Sequence, residues 1–410
     1  MRVTQPFIVS SGIARHQGFA ELAAKGPLTH LMLFTGVPVW LITGYAETRA
    51  LLAHPDVVRS PMDGPHRDQI TAELVNATEQ HMLVVNPPDH TRLRKLVTAA
   101  FTRRRIEGLE PRIREIAAGL LDEMAAAGDG VDLVDAYSYP LPITVICELI
   151  GIPMRDREEF RRWSSVAVNA TVHTPDEYIE AAGALVGFIR GLIEEKREAP
   201  ADDLLSALIE ASDGGDRLSE DELTSMIFLL LAAGHETTVN MITNGVHALL
   251  RHPDQLALLK AEPERLPAAV EEILRYDGPL QAAIPYVAQA PIEIAGSRIE
   301  AGEVIVFALL PANRDGRKTD RPDELDITRP ENAHLAFGHG IHHCLGAPLA
   351  RLEGRIALGM LFDRFPDLRL AAPEQDPDRA ASLLMNGIRE LPVLLRPHPA
   401  AGAEHPVNRA

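Results

Sequence analysis

Cysteine is almost absent: Cys147 and Cys344 are the only two in 410 residues. That excludes a disulfide framework and fits a reducing compartment. Long apolar runs are missing too. The longest, Met226 to Ala233, is far too short to span a bilayer, and residues 1–19 have no apolar core of signal or anchor length. Basic residues are outnumbered, 40 Lys+Arg against 58 Asp+Glu, a net charge of −18. This balance argues against nucleic acid as a partner. No Gly/Ser-rich linker, composition break or internal repeat divides the chain, so a single domain is expected over 1–410, with an ordered core at about 12–396 and a disordered tail at 397–410.

One of the two cysteines stands in FGHGIHHCLG, residues 337–346. Phe337, Gly338, Gly340 and Gly346 flank Cys344, and glycines suit tight turns or close approach to a flat ligand. A helix follows, with Pro348 in its first turn and Leu349, Leu352, Ile356 and Met360 at helical spacing. A thiol just before a helix faces unpaired N–H groups and the positive dipole end, which favour thiolate. A thiolate that donates strongly to iron is what O–O cleavage on haem requires. His339, His342, His343 and Cys344 also invite a zinc reading. Structural zinc prefers ligands in spaced pairs, usually with several thiolates, and the only other cysteine lies in an apolar helical run.

Ser219 and Glu222 form a capping box for a helix expected to run to about residue 250, roughly 45 Å. Its middle, MIFLLLAAG, is apolar all round and should be buried. Then comes AGHETT, Ala233 to Thr238. A carboxylate, a glycine and two threonines suit a buried helix poorly, and the Thr237 hydroxyl can bond back to the Ala233 carbonyl and bend it. A zinc HExxH reading fails because residue 239 is Val. His90 and Arg94 share one helical face after Pro87–Pro88, with Asp89 as a candidate cap. Glu272 and Arg275 lie one turn apart, a weak signal alone.

Phe337, Gly340, His342, Cys344 and Gly346 together match FxxGxHxCxG, and the chain resembles the cytochrome P-450 family over residues 12–396. The resemblance implies a mainly α fold with small β-sheets, haem b (Fe protoporphyrin IX) lying between the helix after Ser219 and the helix after Cys344. It implies Cys344 as axial iron ligand, Phe337 beside the sulfur, and His342, His90 and Arg94 at the haem propionates. Ala233 and Gly234 would form the oxygen groove. Glu236 and Thr237 would be an acid–alcohol pair for proton delivery, so that one oxygen atom leaves as water. Glu272, Arg275 and Arg329 would form a buried ion network. The substrate pocket would be lined by the 61–85 loop, including Leu83, and by Ala233, Ala282, Ala283, Ile284, Leu384 and Met385. Many relatives carry Arg in an RxA motif where this chain has Tyr286, which can donate one hydrogen bond but no charge.

The implied reaction inserts one oxygen atom of O2 into a C–H or C=C bond of a hydrophobic small molecule, a secondary metabolite such as a polyketide, macrolide or terpenoid. Electrons would come from NAD(P)H through a ferredoxin reductase and a ferredoxin. The ferredoxin would dock around Arg92, Lys95 and Arg103 to Arg105, in a stretch (90–114) holding eight Lys/Arg and two Glu. A cytoplasmic monomer is expected. Two alternatives are a peroxide-dependent haem peroxygenase and a non-catalytic haem-binding sensor; the intact Glu236–Thr237 pair argues against both.

Overall fold

A computed structural model describes residues 6–59, 69–152, 157–168, 172–213 and 218–396. Helix α1 (Gly12–Ala23) starts at Ser11, whose side chain accepts from the Ala14 N–H. Residues 30–43, HLMLFTGVPVWLIT, read as a β-hairpin, and strands β1 (Leu28–Met32) and β2 (Pro38–Ile42) form one, turning at Gly36 with φ +84°. Helix α2 (Tyr45–Leu52) and the short β3 (Val57–Val58) follow. The polar, aperiodic 60–80 stretch reads as a long loop with room for a helical turn, and its described part contains helix α3 (Ala72–Glu79), capped by Thr71 and burying Leu74 and Ala77. Residues 60–68 and the tail 397–410 lie outside the described residues.

Helix α4 (Asp89–Ala100) corrects the expected cap: Pro88 occupies the cap position and makes no side-chain bond, while Asp89 sits inside the first turn. There its charge acts through the helix dipole and through a 3.8 Å ion pair with Arg92. Helices α5 (Arg103–Gly108) and α6 (Glu110–Ala127), strand β4 (Gly130–Asp132) and helices α7 (Pro140–Ile150), α8 (Arg157–Val168), α9 (Pro175–Glu198) and α10 (Leu204–Asp213) follow. Cys147 is core, as expected, 2% exposed within α7.

The long central helix is broken in two. Helix α11 (Glu220–Gly234) begins at the full Ser219/Glu222 capping box, and every residue from Leu223 to Ala232 is buried. Helix α12 (Glu236–Arg251) continues beyond His235, which has φ −106°. The break has two side-chain causes. His235 Nδ1 bonds the Leu231 carbonyl at 2.8 Å, and Thr237 Oγ1 donates to the Ala233 carbonyl at 3.0 Å. Both compete for carbonyls one turn back, which tilts a helix. Among the described residues, Glu220–Arg251 alone has the length and composition of a membrane span, and most of it is buried inside the fold. Each fully buried Leu, Ile or Phe here contributes about 1.5–3 kcal/mol.

Helices α13 (Pro253–Ala261) and α14 (Leu266–Asp277) lead to strands β5 (Tyr286–Ala288), β6 (Ile292–Ile294), β7 (Ser297–Ile299) and β8 (Val304–Phe307), then α15 (Leu309–Asn313), α16 (Ala347–Arg364), β9 (Arg369–Leu370) and β10 (Pro392–Leu394). The main sheet has the order β1-β2-β8-β5-β3, with β2 and β8 parallel. Residues 382–396, SLLMNGIRELPVLL and the residue after it, read as a closing hairpin, but none forms. Strand β10 pairs with β4 and β9, while Met385 bridges Leu280 and Ile388 bridges Arg379. The 382–388 turn is held instead by buried charge. Arg379 Nη2 donates to Asp277 at 2.6 Å, and Asn386 Nδ2 donates to Asp277 at 2.8 Å.

Candidate active site

The loop before α16 turns on Gly338 and Gly340, both at φ +71°. A Cβ at Gly340 would stand 2.4 Å from the Leu52 carbonyl oxygen, so no larger residue fits. The loop positions Cys344, whose N–H donates to the Phe337 carbonyl at 2.9 Å. Gly346 caps α16 without a side-chain bond, which leaves backbone N–H groups of Gly346 and Ala347 directed at the sulfur. That sulfur is accessible through the cavity it lines, while protein packs closely round its other sides. Burial raises the thiol above its ordinary value, against the lowering effect of the two N–H groups and of Arg94 and Arg351. The expected drive to thiolate is therefore present but outweighed in the protein alone. Phe337 carries the Arg351 guanidinium 4.5 Å from its ring centroid.

The cavity has a volume of about 420 Å³. Thr237, Ala233 and Gly234 reach it from the α11–α12 break, and Cys344 and Gly346 from the loop. Leu83, Ala282, Ala283, Ile284, Leu384 and Met385 all line it. Gly234 does more than leave room: a Cβ there would meet Ile146 at 3.1 Å, so the glycine lets α7 pack against the break. Glu236 stands in the first turn of α12, beside the cavity rather than in its lining, with Oε2 buried.

At one end of the cavity nitrogen-rich side chains converge. Arg94 Nη2 donates to the His343 carbonyl at 2.6 Å. His90 is 2% exposed and meets the His342 ring edge-on at 4.6 Å. Neither of its ring nitrogens makes a hydrogen bond of good geometry, although the Ile341 backbone is near enough to influence its titration. Burial, reinforced by Arg59, His90 and Arg94, holds His342 down to about 3, so it is neutral. Tyr286 is buried and edge-on to Phe307. Two charged lining residues escaped the sequence reading, Arg59 and Glu353, while His81 belongs to the 61–85 loop named there. Glu353 is buried, and burial alone pushes its carboxyl well above the ordinary range. Its motif-free setting in α16 gave no signal.

Glu272, Arg275 and Arg329 do form one network, away from the cavity. Arg275 grips Glu272 with two bonds of 2.8 Å, and Arg329 Nε joins at 3.1 Å. Asn332 and the Asp326 N–H complete the carboxylate at 2.9 and 2.8 Å.

The site suits a flat dianionic group with a metal at its centre. A thiol free of any disulfide faces the cavity beside apolar walls, and orphaned buried nitrogen donors gather where carboxylates would lie. Comparison with known proteins agrees. A family model for cytochrome P-450 matches residues 173–388. The chain is 46% identical over 387 residues to the vitamin D(3) 25-hydroxylase of Pseudonocardia autotrophica, covering 94% of each chain. It is 40% identical over 391 residues to the mycinamicin IV hydroxylase/epoxidase of Micromonospora griseorubida, covering 95% of this chain and 98% of that one. Its fold is similar to that of the tirandamycin C-bound P-450 monooxygenase TamI, with TM-score 0.85 and 44% identity over 93% of this chain and 97% of that one. Likeness of this extent, running nearly end to end, means that the chain belongs to the cytochrome P-450 family, the haem-iron monooxygenases that act on hydrophobic substrates with dioxygen and redox partners.

Proposed function

We propose that Cys344 is the axial ligand of a haem b, and that the substrate is a hydrophobic secondary metabolite of the polyketide, macrolide or terpenoid class. One observation carries this reading: the lone thiol, the Thr237 hydroxyl and the apolar Leu83, Ala282 to Ile284, Leu384 and Met385 all line one cavity. Haem iron, when bound, supplies the activation of dioxygen for insertion into a C–H or C=C bond. The chain supplies the rest. The Phe337 carbonyl and the α16 N-terminus fix the sulfur. Arg94, His90 and His342 would hold the cofactor carboxylates through charge-assisted or neutral hydrogen bonds. The Thr237 hydroxyl spends its proton on Ala233, so its lone pairs are left to accept from a water. Glu236, at the edge of the cavity, relays protons toward that water. The apolar wall excludes bulk water and orients the substrate.

Relatives named for vitamin D(3), for mycinamicin IV and in complex with tirandamycin C support a bulky hydrophobic substrate. Electrons arrive from NAD(P)H through a ferredoxin reductase and a ferredoxin, and the chain works as a cytoplasmic monomer. The docking face narrows, because Arg92 pairs with Glu222, Arg103 with Glu107 and Arg105 with Asp202. Lys95 and Arg104 remain exposed without a carboxylate partner among the described residues, and they anchor that face.

A screen of macrolides, polyketides and terpenoids for substrate-induced spin-state shifts tests the substrate class. Only small polar ligands producing shifts would sink it. Turnover faster with peroxide than with dioxygen and reductant would favour the peroxygenase alternative.

A further inference from the structure

Arg59 directly follows β3 and is 5% exposed. Its backbone is clamped by the Asn86 side chain: the Arg59 N–H donates to Oδ1 at 2.9 Å and the Asn86 amide donates to the Arg59 carbonyl at 2.6 Å. The Asn86 carbonyl in turn accepts from the His90 N–H at 2.9 Å, so one residue ties Arg59 to the helix that carries His90 and Arg94. The guanidinium lies over the Tyr286 ring, 3.7 Å from its centroid. Nη1 donates to the Ile284 and Pro285 carbonyls, Nε has no partner, and no carboxylate pairs with Arg59 among the described residues. Burial lowers its pKa only to about 10, so the group is cationic at neutral pH.

A buried cation without a counter-charge is strongly unfavourable unless a ligand completes it. The sheet register says which ligand group this one serves. Strands β3 and β5 pair antiparallel, with Val57 opposite Ala288 and Val58 opposite Val287. Continuing that register puts Arg59 opposite Tyr286, the position where relatives with the RxA motif place their arginine. The guanidinium has not been lost but has moved one strand across, and it reaches the same cavity.

We propose that Arg59 pairs with the haem carboxylate that the Arg-to-Tyr departure at position 286 would otherwise strand, with the Tyr286 ring serving as its platform. This rests on the reading of the cavity as a haem site.

The test uses the purified holoenzyme and measures haem transfer to excess apomyoglobin, the iron midpoint potential, and the unfolding midpoint of the apoprotein. Arg59→Gln should release haem about tenfold faster or more, as expected for loss of a charge-assisted bond. The potential should fall, since a cation near the iron is gone. Arg59→Gln/Tyr286→Arg, which moves the charge back across the strand pair, should restore both. Release at the wild-type rate by Arg59→Gln overturns the proposal. So does accelerated release that the double variant leaves uncorrected, which would mark Arg59 as a packing residue; the apoprotein midpoint would then fall in parallel. Failure of the wild-type chain to bind haem would instead defeat the reading of the site itself.

Discussion

The buried charges around Glu272 and those around Tyr286 use the same side-chain chemistry but are satisfied in different ways. Glu272 is fully buried, and both its oxygens are taken by Arg275, Arg329, Asn332 and the Asp326 N–H. Arg275 spends its remaining donors on the Pro322 and Glu324 carbonyls at 2.7 and 2.9 Å. Every charged group is paired and only the neutral Asn332 Oδ1 is left over, so this cluster pins the 322–332 segment to α14 and needs no ionic ligand. At the cavity end, Arg59, Arg94, His90 and His342 meet no carboxylate among the described residues, and His90 and Arg59 keep orphaned nitrogens. The first arrangement is scaffold; the second is a receptor for an anion. Substitutions in the two should therefore fail differently, one in stability and one in cofactor retention.

The largest effect expected is at Cys344. Cys344→Ala should yield protein without the haem-thiolate carbon-monoxide band and without turnover. Its apoprotein should unfold near the wild-type midpoint, because the Gly346 and Ala347 N–H groups that lose the sulfur lie at the cavity, where water can replace it. A pigment with an intact carbon-monoxide spectrum would remove Cys344 from the iron. Glu272→Gln should behave in the opposite way. It leaves two buried guanidinium groups undercompensated, so the apoprotein should lose about 3–5 kcal/mol, read from denaturant unfolding. A loss below about 1 kcal/mol would put the Glu272 cluster in the range of an exposed ion pair and erase the contrast.

How much of this could be read from the chain depends on the reach of each constraint. The Cys344 loop was legible because its glycines, its thiol and Pro348 fall within a dozen residues, and each has a local reason to be there. The capping box at Ser219 was legible for the same reason. The break at His235 was half-legible. Thr237 announced the bend, but nothing in AGHETT shows that His235 also takes the Leu231 carbonyl and lies against Ser164 at 3.4 Å. Helix α3 was legible only as a turn within a loop, because a single Thr71 cap, next to an aperiodic polar stretch, carries its start. Arg59 and the Asp277–Arg379–Asn386 cluster were invisible. Their meaning lies in strand register and in contacts between distant parts of the chain, which no local pattern encodes.

A smaller effect is expected at the break. Thr237→Val keeps the shape and removes the hydroxyl. Product formation should fall on the order of 10²-fold, while reductant consumption continues and yields peroxide or water instead. Product and reductant measured together decide it: a parallel fall in both would mean that Thr237 only bends the helix and handles no proton.

The smallest effect sharpens the contrast from a third direction, through a buried group that is satisfied while neutral. His235 is 2% exposed, and the Leu231 carbonyl can only accept, so Nδ1 carries the proton. Burial, the leading cause, lowers its pKa from 6.5 to about 4. As pH falls through 6.5 the unfolded chain binds a proton that the folded chain refuses until about 4. The stabilisation is thus complete above 6.5 and declines through that window by about 1.4 kcal/mol per pH unit for this one group. His16, His81 and His247 are lowered to about 4 as well and add to the same slope, so the difference between proteins is the readout. Chemical unfolding of wild type and His235→Gln at stepped pH should show the variant's slope shallower by about one proton's worth. Equal slopes would mean that His235 titrates as in water, and that the break between α11 and α12 is open to solvent rather than sealed against α8.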